Sequence, residues 1–413
     1  MTGTAGVVIV GAGQAGCETA VTLRAKGFTG PITVIGDEHG IPYQRPPLSK
    51  AFLAAGHDDD SIILRPAEFY ESRGITLLSG HRATAIDRSK QLLELEGRSP
   101  LAYDILVLAT GARNRRLSVP GADAKGVHYL RTLTEAQKLQ EKLKSAAERQ
   151  VVIIGGGFIG LEVAAAARKY GADVTVLMSR DRPMARSVSL PVARHFEQEH
   201  RRNGVRLVAD SAVQSISASS GQADGVFTVD GKFYSADIIV VGIGVDPNVE
   251  LAETAGLETN GGVVVDSTLR TSDTDIFAIG DCAAFPTQSG LRRIESIQTC
   301  VDHARAVAAA IVGAGCDYEK VPWFWTDQFD SKLQMAGLIE GYDTTVVRGD
   351  PLTGSFSVLC FADGQLIAVE SVNRPRDHMG ARKLLAARVP VSVLEAADEE
   401  IELKDLLRVG AAV

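Results

Sequence analysis

Cysteine is scarce in this chain, and no arrangement of the few present carries chemistry. Five occur in 413 residues: Cys17, Cys282, Cys300, Cys316 and Cys360. None forms C-x-x-C or C-x-x-x-x-C. A local redox disulfide, a cysteine-ligated iron–sulfur cluster and a cysteine-rich zinc site are therefore not written here, and no metal site is expected. Most of the five read as small buried or surface residues. Long apolar runs are missing too. Those present, such as Ile238 to Val241, are strand-sized and cannot span a bilayer. Positive charge is not in excess: the net charge is −8, which argues against a nucleic-acid partner. The first apolar run begins within a few residues of Met1, leaving no room for a signal peptide, so a cytoplasmic location without a membrane partner is expected. There is no low-complexity segment.

Glycine is abundant, with 41 residues. Hydrophobic residues make up 45% and charged residues 23%, which excludes a disordered class, and the length allows two or three cores. Two glycine clusters stand out. Val7 to Gly16 reads VVIVGAGQAG and Val151 to Gly160 reads VVIIGGGFIG. Each is an apolar run feeding G-x-G-x-x-G, with a helix-compatible stretch behind it. The first Gly makes the tight turn, the second lets backbone approach a pyrophosphate, and the third lets helix pack on strand. The helix N-terminus then offers unpaired N–H groups and a positive dipole end. One such motif is weak, because glycine-rich turns in ordinary α/β units produce it as well. Two imply two dinucleotides in one chain, and so electron transfer between a flavin and a nicotinamide. Gly11, Gly13, Ala15 and Gly16 form the first candidate set, and Gly155, Gly157, Phe158, Ile159 and Gly160 the second.

The remaining segments fall into place around these. Gln14 to Lys26 reads as a helix and Ile32 to Ile35 as the next parallel strand, ending at Asp37 and Glu38. Either acid suits adenosine ribose hydroxyls, and a solvated turn is the plain alternative. Ile41 to Lys50, IPYQRPPLSK, holds three prolines and reads as an extended, rigid segment carrying Arg45 and Lys50, or as a surface loop. Tyr103 to Ala109 is a strand, Thr134 to Ser145 a helix, Val174 to Leu177 a strand and Leu190 to Asn203 a helix. Ile238 to Val241 ends at Gly242-Ile243-Gly244, and Gly244 joins the cofactor-binding candidates. Asp275 to Asp281, DIFAIGD, reads as a strand ending on an acid, with a helix over Cys300 to Val312. After Tyr318 the character changes. Val321 to Asp330, VPWFWTDQFD, holds both tryptophans, alternation over Phe356 to Phe361 and Leu366 to Val369 predicts antiparallel strands, and Arg376 to Ala387 looks helical. The order predicts one nucleotide unit inserted within another: a first domain of 1–112 and 243–320, a second of 113–242, and an α+β domain of 321–413. Asp281 then lies in the resumed first domain, beyond the carboxyl end of a strand.

The chain resembles the FAD-dependent, NAD(P)H-linked ferredoxin reductases of bacterial oxygenase systems, in particular the putidaredoxin and palustrisredoxin reductase group. GAGQAG, YQRPPLSK, LVLATG, YLRT, GGGFIGLE, Thr271 to Asp281, RIESIQ and PWFWTDQ carry the resemblance, which covers nearly the whole chain. It implies an α/β fold of two Rossmann-like dinucleotide-binding domains, as in glutathione-reductase-like flavoproteins, with a C-terminal α+β domain. It implies non-covalent FAD, with Gly11, Gly13, Ala15 and Gly16 at the pyrophosphate, Asp37 near the adenosine ribose and Ala83 near the adenine. Arg45 and Arg131 would offset phosphate charge, Asp281 would bond the ribityl chain or pyrophosphate, and Ile297 would give its N–H to the flavin pyrimidine. Lys50 would approach the reactive flavin nitrogen and pair with Glu162, and Trp325 would cover the isoalloxazine edge. Nicotinamide would dock near Phe158 and Glu162, and electrons would leave singly to a 2Fe–2S ferredoxin serving a haem monooxygenase or related oxygenase. A monomer or weak dimer is expected.

One departure concerns the choice of nicotinamide. NADH users of this kind place Glu after the second strand of the second domain, but here the stretch reads VTVLMSRDRPMAR with Met178 at that position. Arg180, Arg182 and Arg186 follow, and an Arg there accommodates a 2′-phosphate. Gly160 leans towards NADH, so NADH and NADPH both stay open, as does a solvated loop for the arginines. Three rival readings remain. A flavin disulfide reductase or peroxide-handling oxidase needs a reactive Cys near the flavin, and none follows Asp37 until Cys282. A rubredoxin reductase differs only in the protein it serves. A flavoprotein like apoptosis-inducing factor keeps the fold with slow turnover. An acidic ferredoxin would need a local basic patch on this acidic chain, for which Arg65, Arg73, Arg292, Arg293 and Arg305 are candidates.

Overall fold

The computed structural model describes residues 6–55, 59–287, 290–315 and 318–409; Cys316 lies outside them. The chain divides into two compact units. The first draws on Met1–Gln44, Asp59–Arg113 and Val245–Pro322. Its centre is a parallel sheet in the order Ile276–Ala278, Ile105–Leu108, Val7–Val10, Ile32–Gly36, Ile75–Ser79. Val7–Val10 is buried along its whole length, which is why it reads as an unbroken apolar run rather than an alternation. Helix Gln14–Ala25 buries Cys17, Ala20 and Leu23 and packs against helix Ile297–Ile311. A three-stranded antiparallel sheet of Ala83–Asp87, Leu92–Leu95 and Arg98–Ala102 completes this unit's larger pieces.

The second unit draws on Arg45–Asp58, Asn114–Gly244 and Trp323–Val413. It repeats the parallel theme in the order Arg206–Val208, Asp173–Leu177, Gln150–Ile154, Ile238–Val241, Val127–Tyr129. Its other main sheet is antiparallel, in the order Trp323–Gln328, Ser331–Gly337, Gln365–Val372, Ser355–Ala362, Thr344–Asp350. Helix Pro375–Ala387 covers one face of it, burying Ala381 and Leu384 against Leu359, Phe361 and Val369. Arg348 closes the edge from within: its buried guanidinium donates to the carbonyls of Ala396, Asp398 and Ile401 at 2.9, 2.8 and 2.6 Å.

Two segments differ from the sequence reading. The proline segment is not extended throughout. Pro46–Ser49 is a turn of 3-10 helix, because Pro at the first helical positions has the right φ and no N–H to lose, and Ala51–Ala55 continues as α-helix. The DIFAIGD strand stops at Ala278, and Gly280–Cys282 is another 3-10 turn, made possible by Gly280 at φ +69°. No helix among the described residues is long and apolar enough to cross a membrane.

Several titratable groups are buried without an opposite charge. Desolvation pushes His303 down to about 3 and His200 and His378 down to about 4. Desolvation pushes Glu370 up to about 7, although both its oxygens lie 3.1 Å from the backbone N–H of Ser189, the N-cap of helix Leu190–Arg202. The signs oppose. Below pH ~6.5 the unfolded chain protonates the histidines and the folded chain does not, so stability is present above that pH and falls towards pH 4, by about 2 kcal/mol per histidine at pH 5. Glu370 contributes fully below its unfolded value, and its contribution is lost as pH rises towards 7. The thermal midpoint should therefore drop between pH 6.5 and 4.5, and Glu370→Gln should raise it at pH 8 but not at pH 4.5. A midpoint flat over the acid range would refute the histidine argument.

Candidate functional site

In the first unit the chain leaves strand Val7–Val10 through Gly11 at φ +118° and enters helix Gln14–Ala25. The turn is held by Gly11 N–H donating to Ile35 O at 2.8 Å. A Cβ on Gly11 would sit 2.0 Å from Ala109 O, and one on Gly16 would sit 1.9 Å from Gly11 O. These two glycines let backbone meet backbone. Gly13 is different. It is the helix N-cap in ordinary extended conformation, no side chain caps the helix, and a Cβ there would meet nothing within 4 Å. The space beside Gly13 and the N–H groups of the first turn form a cradle fitted to a pyrophosphate. Asp37, exposed, ends the neighbouring strand, whereas Glu38 accepts a hydrogen bond from Tyr43 Oη at 2.6 Å, so Asp37 suits the ribose role better. Ala83 opens its strand in the same unit.

Asp281 and Ile297 are also in this unit. A Cβ on Gly280 would touch Ala15 Cβ at 3.1 Å, so the Asp281 turn lies against the first helix. Gly280 N–H donates to the Nδ1 of buried His303 at 3.2 Å, and Cys300 Sγ donates to Asp281 Oδ1 at 3.7 Å. Ile297 is the first residue of helix Ile297–Ile311, one of the N–H groups without an intrahelical acceptor, behind an N-cap Ser296 that accepts from Thr299 N–H. The sequence reading missed Gly280 and His303. The Gly immediately before Asp281 was the available signal for the first; His303 gave none.

The second unit repeats the cradle. Gly155 has φ +113°, and its Cβ would lie 2.2 Å from Gly242 O; the Cβ of Gly160 would lie 2.0 Å from Gly155 O; Gly157 is open and caps helix Phe158–Lys169 without a side-chain bond. Gly244 has φ +103° and its carbonyl accepts from Arg115 N–H. Ile159 is exposed at the start of the helix, while Phe158 packs on Phe324 at 4.8 Å between ring centroids. Met178 is buried, its Sδ 2.5 Å from where a Cβ on Gly156 would be, so no carboxylate stands at that strand end. Arg180 and Arg186 are exposed, whereas Arg182 donates to Asp181 and to Ala185 O.

Helix Phe158–Lys169 is apolar nearly all round, and its one acid, Glu162, is 2% exposed. Three donors converge on it. Ser49 Oγ donates to Oε2 at 2.5 Å, Thr326 Oγ1 donates to Oε1 at 2.5 Å, and the Lys50 ammonium pairs with Oε1. The Lys50 segment is itself anchored: Gln140 donates to Phe52 O at 2.5 Å and Tyr170 Oη to Leu53 O at 2.8 Å. Arg45 Nη1 donates to Arg131 O at 2.8 Å, bringing the two predicted phosphate cations together. Trp325 is half-buried, 5.6 Å from Trp323 between ring centroids. Lys50, Glu162, Arg45, Arg131 and Trp325 all belong to the second unit. Sequence reasoning missed Ser49 and Thr326 as partners of Glu162.

Each cradle is a parallel strand turning through glycine into a helix with no side-chain cap, and one family model spans both. It covers residues 5–304 and is that of pyridine nucleotide-disulphide oxidoreductases. The chain belongs to this family. Residues 323–407 match a second model, the reductase C-terminal domain. Rhodocoxin reductase of Rhodococcus erythropolis is 52% identical over 400 residues, 96% of this chain and 93% of that one. The crystal structure of the ferredoxin reductase for the CYP199A2 system from Rhodopseudomonas palustris superposes with a TM-score of 0.95 at 44% identity, covering 98% of this chain and 100% of that one. The covalent putidaredoxin reductase–putidaredoxin complex gives 0.95 at 40% identity, covering 99% of each chain. The chain is an FAD-dependent oxidoreductase that uses NAD(P)H.

The two kinds of glycine in the first cradle separate by substitution. Gly13→Ala has room within the protein and should fold, yet its Cβ occupies the space a pyrophosphate needs, so FAD affinity should fall at least about tenfold. Gly16→Val collides with Gly11 O and should lower the thermal midpoint of the apoprotein as well. Flavin content after dialysis and apoprotein melting check both. A Gly13→Ala protein that keeps its flavin would remove the cradle from the site.

Proposed function

We propose that this chain is a ferredoxin reductase: with FAD bound, hydride is taken from NAD(P)H and single electrons are passed to a 2Fe–2S ferredoxin that feeds a haem monooxygenase or a related oxygenase. The observation that carries this reading is the pair of cradles, in a chain whose described cysteines are all buried. The four described cysteines are buried, and desolvation raises the thiols of Cys17, to about 12, and of Cys282 and Cys360. A thiol so raised is a poor nucleophile, which disfavours disulfide chemistry.

The residues then take these roles. Gly11, Gly13, Ala15 and Gly16 hold the FAD pyrophosphate, with Asp37 at the ribose, Ala83 at the adenine, and Asp281 and Ile297 towards the flavin end. Arg45 and Arg131 offset phosphate charge. Gly155, Gly157, Phe158, Ile159, Gly160 and Gly244 form the nicotinamide nucleotide site. The Lys50 ammonium, held by Glu162, offsets the negative charge that arrives with the hydride. Trp325 lies on the route to the protein acceptor. The protein works in the cytoplasm as a monomer or weak dimer.

Buried Met178 leaves that strand end without the carboxylate that would repel a 2′-phosphate, and Arg180 and Arg186, further along the same segment, are exposed. Both NADH and NADPH should bleach the flavin in anaerobic stopped flow, and Arg180→Glu should raise the KM for NADPH about tenfold while sparing NADH. Bleaching by neither nucleotide would overturn the reductase reading.

Among the basic candidates, Arg293 is committed within the fold, donating to Gly261 O, Asp281 O and Glu295, so it drops out as a docking charge. Arg65 and Arg73 are exposed, with guanidinium carbons 5.6 and 3.7 Å from the Phe69 ring centroid. Reversing both to Glu should slow ferredoxin reduction at low salt by about tenfold or more and leave flavin bleaching by NAD(P)H unchanged. Unchanged ferredoxin kinetics would place the interface elsewhere, and electron transfer to rubredoxin but not to any 2Fe–2S ferredoxin would favour the rubredoxin reading.

A further inference from the structure

Strand Trp323–Gln328 reads WFWTDQ, and its alternation sorts two kinds of residue. Trp323, Trp325 and Asp327 share one face and are half-buried. Phe324, Thr326 and Gln328 share the other, where Phe324 meets Phe158, and Thr326 and Gln328 are fully buried. Beyond Thr326 the polar contacts continue. Gln328 Nε2 lies 3.1 Å from Thr326 Oγ1, and Gln328 Oε1 lies 2.9 Å from His200 Nε2. His200 is 0% exposed, on helix Leu190–Arg202, and its Nδ1 meets no hydrogen-bond partner among the described residues.

The proton positions follow from the chemistry of each group. A carboxylate only accepts, so the single Thr326 hydroxyl proton goes to Glu162. The hydroxyl oxygen can then only accept from Gln328, which fixes the amide with Nε2 towards Thr326 and Oε1 towards His200. An acceptor facing His200 requires that Nε2 carry the proton. Every donor in the chain therefore points the same way, from His200 through Gln328 and Thr326 to Glu162, and such aligned bonds reinforce one another in a dry interior.

We propose that Thr326, Gln328 and His200 are positioning residues that fix the Glu162 carboxylate, and through it Lys50, for the reduction of bound flavin by NAD(P)H. This rests on the reading of Lys50 and Glu162 given above. The structural content is a one-way relay that reaches from a helix of the nucleotide fold, through the first strand of the C-terminal sheet, to the buried acid. Removing the Thr326 hydroxyl leaves Lys50 as the remaining donor to Glu162 Oε1 among the described residues, with Ser49 on Oε2, and so loosens the hold on the pair.

Two measurements test it. In 15N-histidine spectra of the FAD-loaded protein, with His200 assigned by its loss in His200→Phe, the His200 resonances should show the neutral form protonated at Nε2, and Gln328→Leu should release that tautomer. In anaerobic stopped flow with a nicotinamide that bleaches the wild type, Thr326→Val should slow flavin reduction about tenfold at unchanged flavin content and melting temperature, and Thr326→Ser, which keeps the hydroxyl, should restore the wild-type rate. A wild type that neither nucleotide reduces defeats the reductase reading itself. A reducible wild type with equal rates in Thr326→Val, or a His200 protonated at Nδ1, defeats the relay. If Thr326→Val lowers the melting temperature, the rate of Gln328→Leu and the tautomer decide in its place.

Discussion

The molecule depends on places where no side chain can stand. At Gly11 and at Gly155 a Cβ would fall 2.0 and 2.2 Å from the carbonyl oxygen at the end of a neighbouring parallel strand. At Gly16 and Gly160 it would fall 1.9 and 2.0 Å from the carbonyl of the first glycine. The two turns are the same solution reached twice. Each brings the helix close enough to its sheet that the helix N-terminus is aimed along the strand's carboxyl end, where a phosphate can be met by N–H groups instead of side chains. In the first unit Asp37 and Asp281 likewise follow strands of the parallel sheet, Ile32–Gly36 and Ile276–Ala278, because strand ends in a parallel sheet all discharge on the same side.

This constraint also explains why so much of the nucleotide-binding architecture was legible. Val7–Val10 and Ile238–Val241 are buried at every position, so their sequences are unbroken apolar runs, and the glycines follow at fixed spacing. Local signals of this kind survive in a single sequence. The failures were of another sort. Three prolines suggest an extended segment or a surface loop, yet Pro46 and Pro47 begin a 3-10 turn, since the same fixed φ serves both extended and helical conformations. Arg293 looked like a surface cation and is tied to Gly261, Asp281 and Glu295. Glu162 was picked out with Lys50 through the family resemblance, but its bond to Thr326 spans 164 residues, and nothing local in either segment announces it.

Burial of polar groups takes different forms at His303 in the first unit and at Glu162 in the second. In the first, His303 is neutral, accepts from Gly280 N–H and is walled by Phe285 and Tyr318, so it supports the Asp281 turn without bringing a charge near it. In the second, the fold surrounds the buried carboxyl group of Glu162 with a cation and two hydroxyls. A buried carboxylate without a cation is costly, and Glu370 illustrates this: burial lifts it to about 7 against the hydrogen bonds of Ser189. Both glutamates are essentially inaccessible, and they differ in what surrounds them.

Why a carboxylate and its three donors should be drawn from three separate sequence regions has a physical answer in the strand that supplies Thr326. An alternating strand must commit one face to each neighbour. Trp323–Gln328 commits its aromatic and acidic members, Trp323, Trp325 and Asp327, to one side, and Phe324, Thr326 and Gln328 to the nucleotide-fold helices on the other. A slip of one residue in its pairing with Ser331–Gly337 would exchange the faces, placing indoles where Glu162 needs a hydroxyl. The register of the C-terminal sheet and the hydrogen bonding of Glu162 are therefore one specification. The cost of an unsatisfied buried carboxylate adds to the apolar packing in rejecting the slipped arrangement, so the group proposed to serve the chemistry also helps to select the fold that presents it.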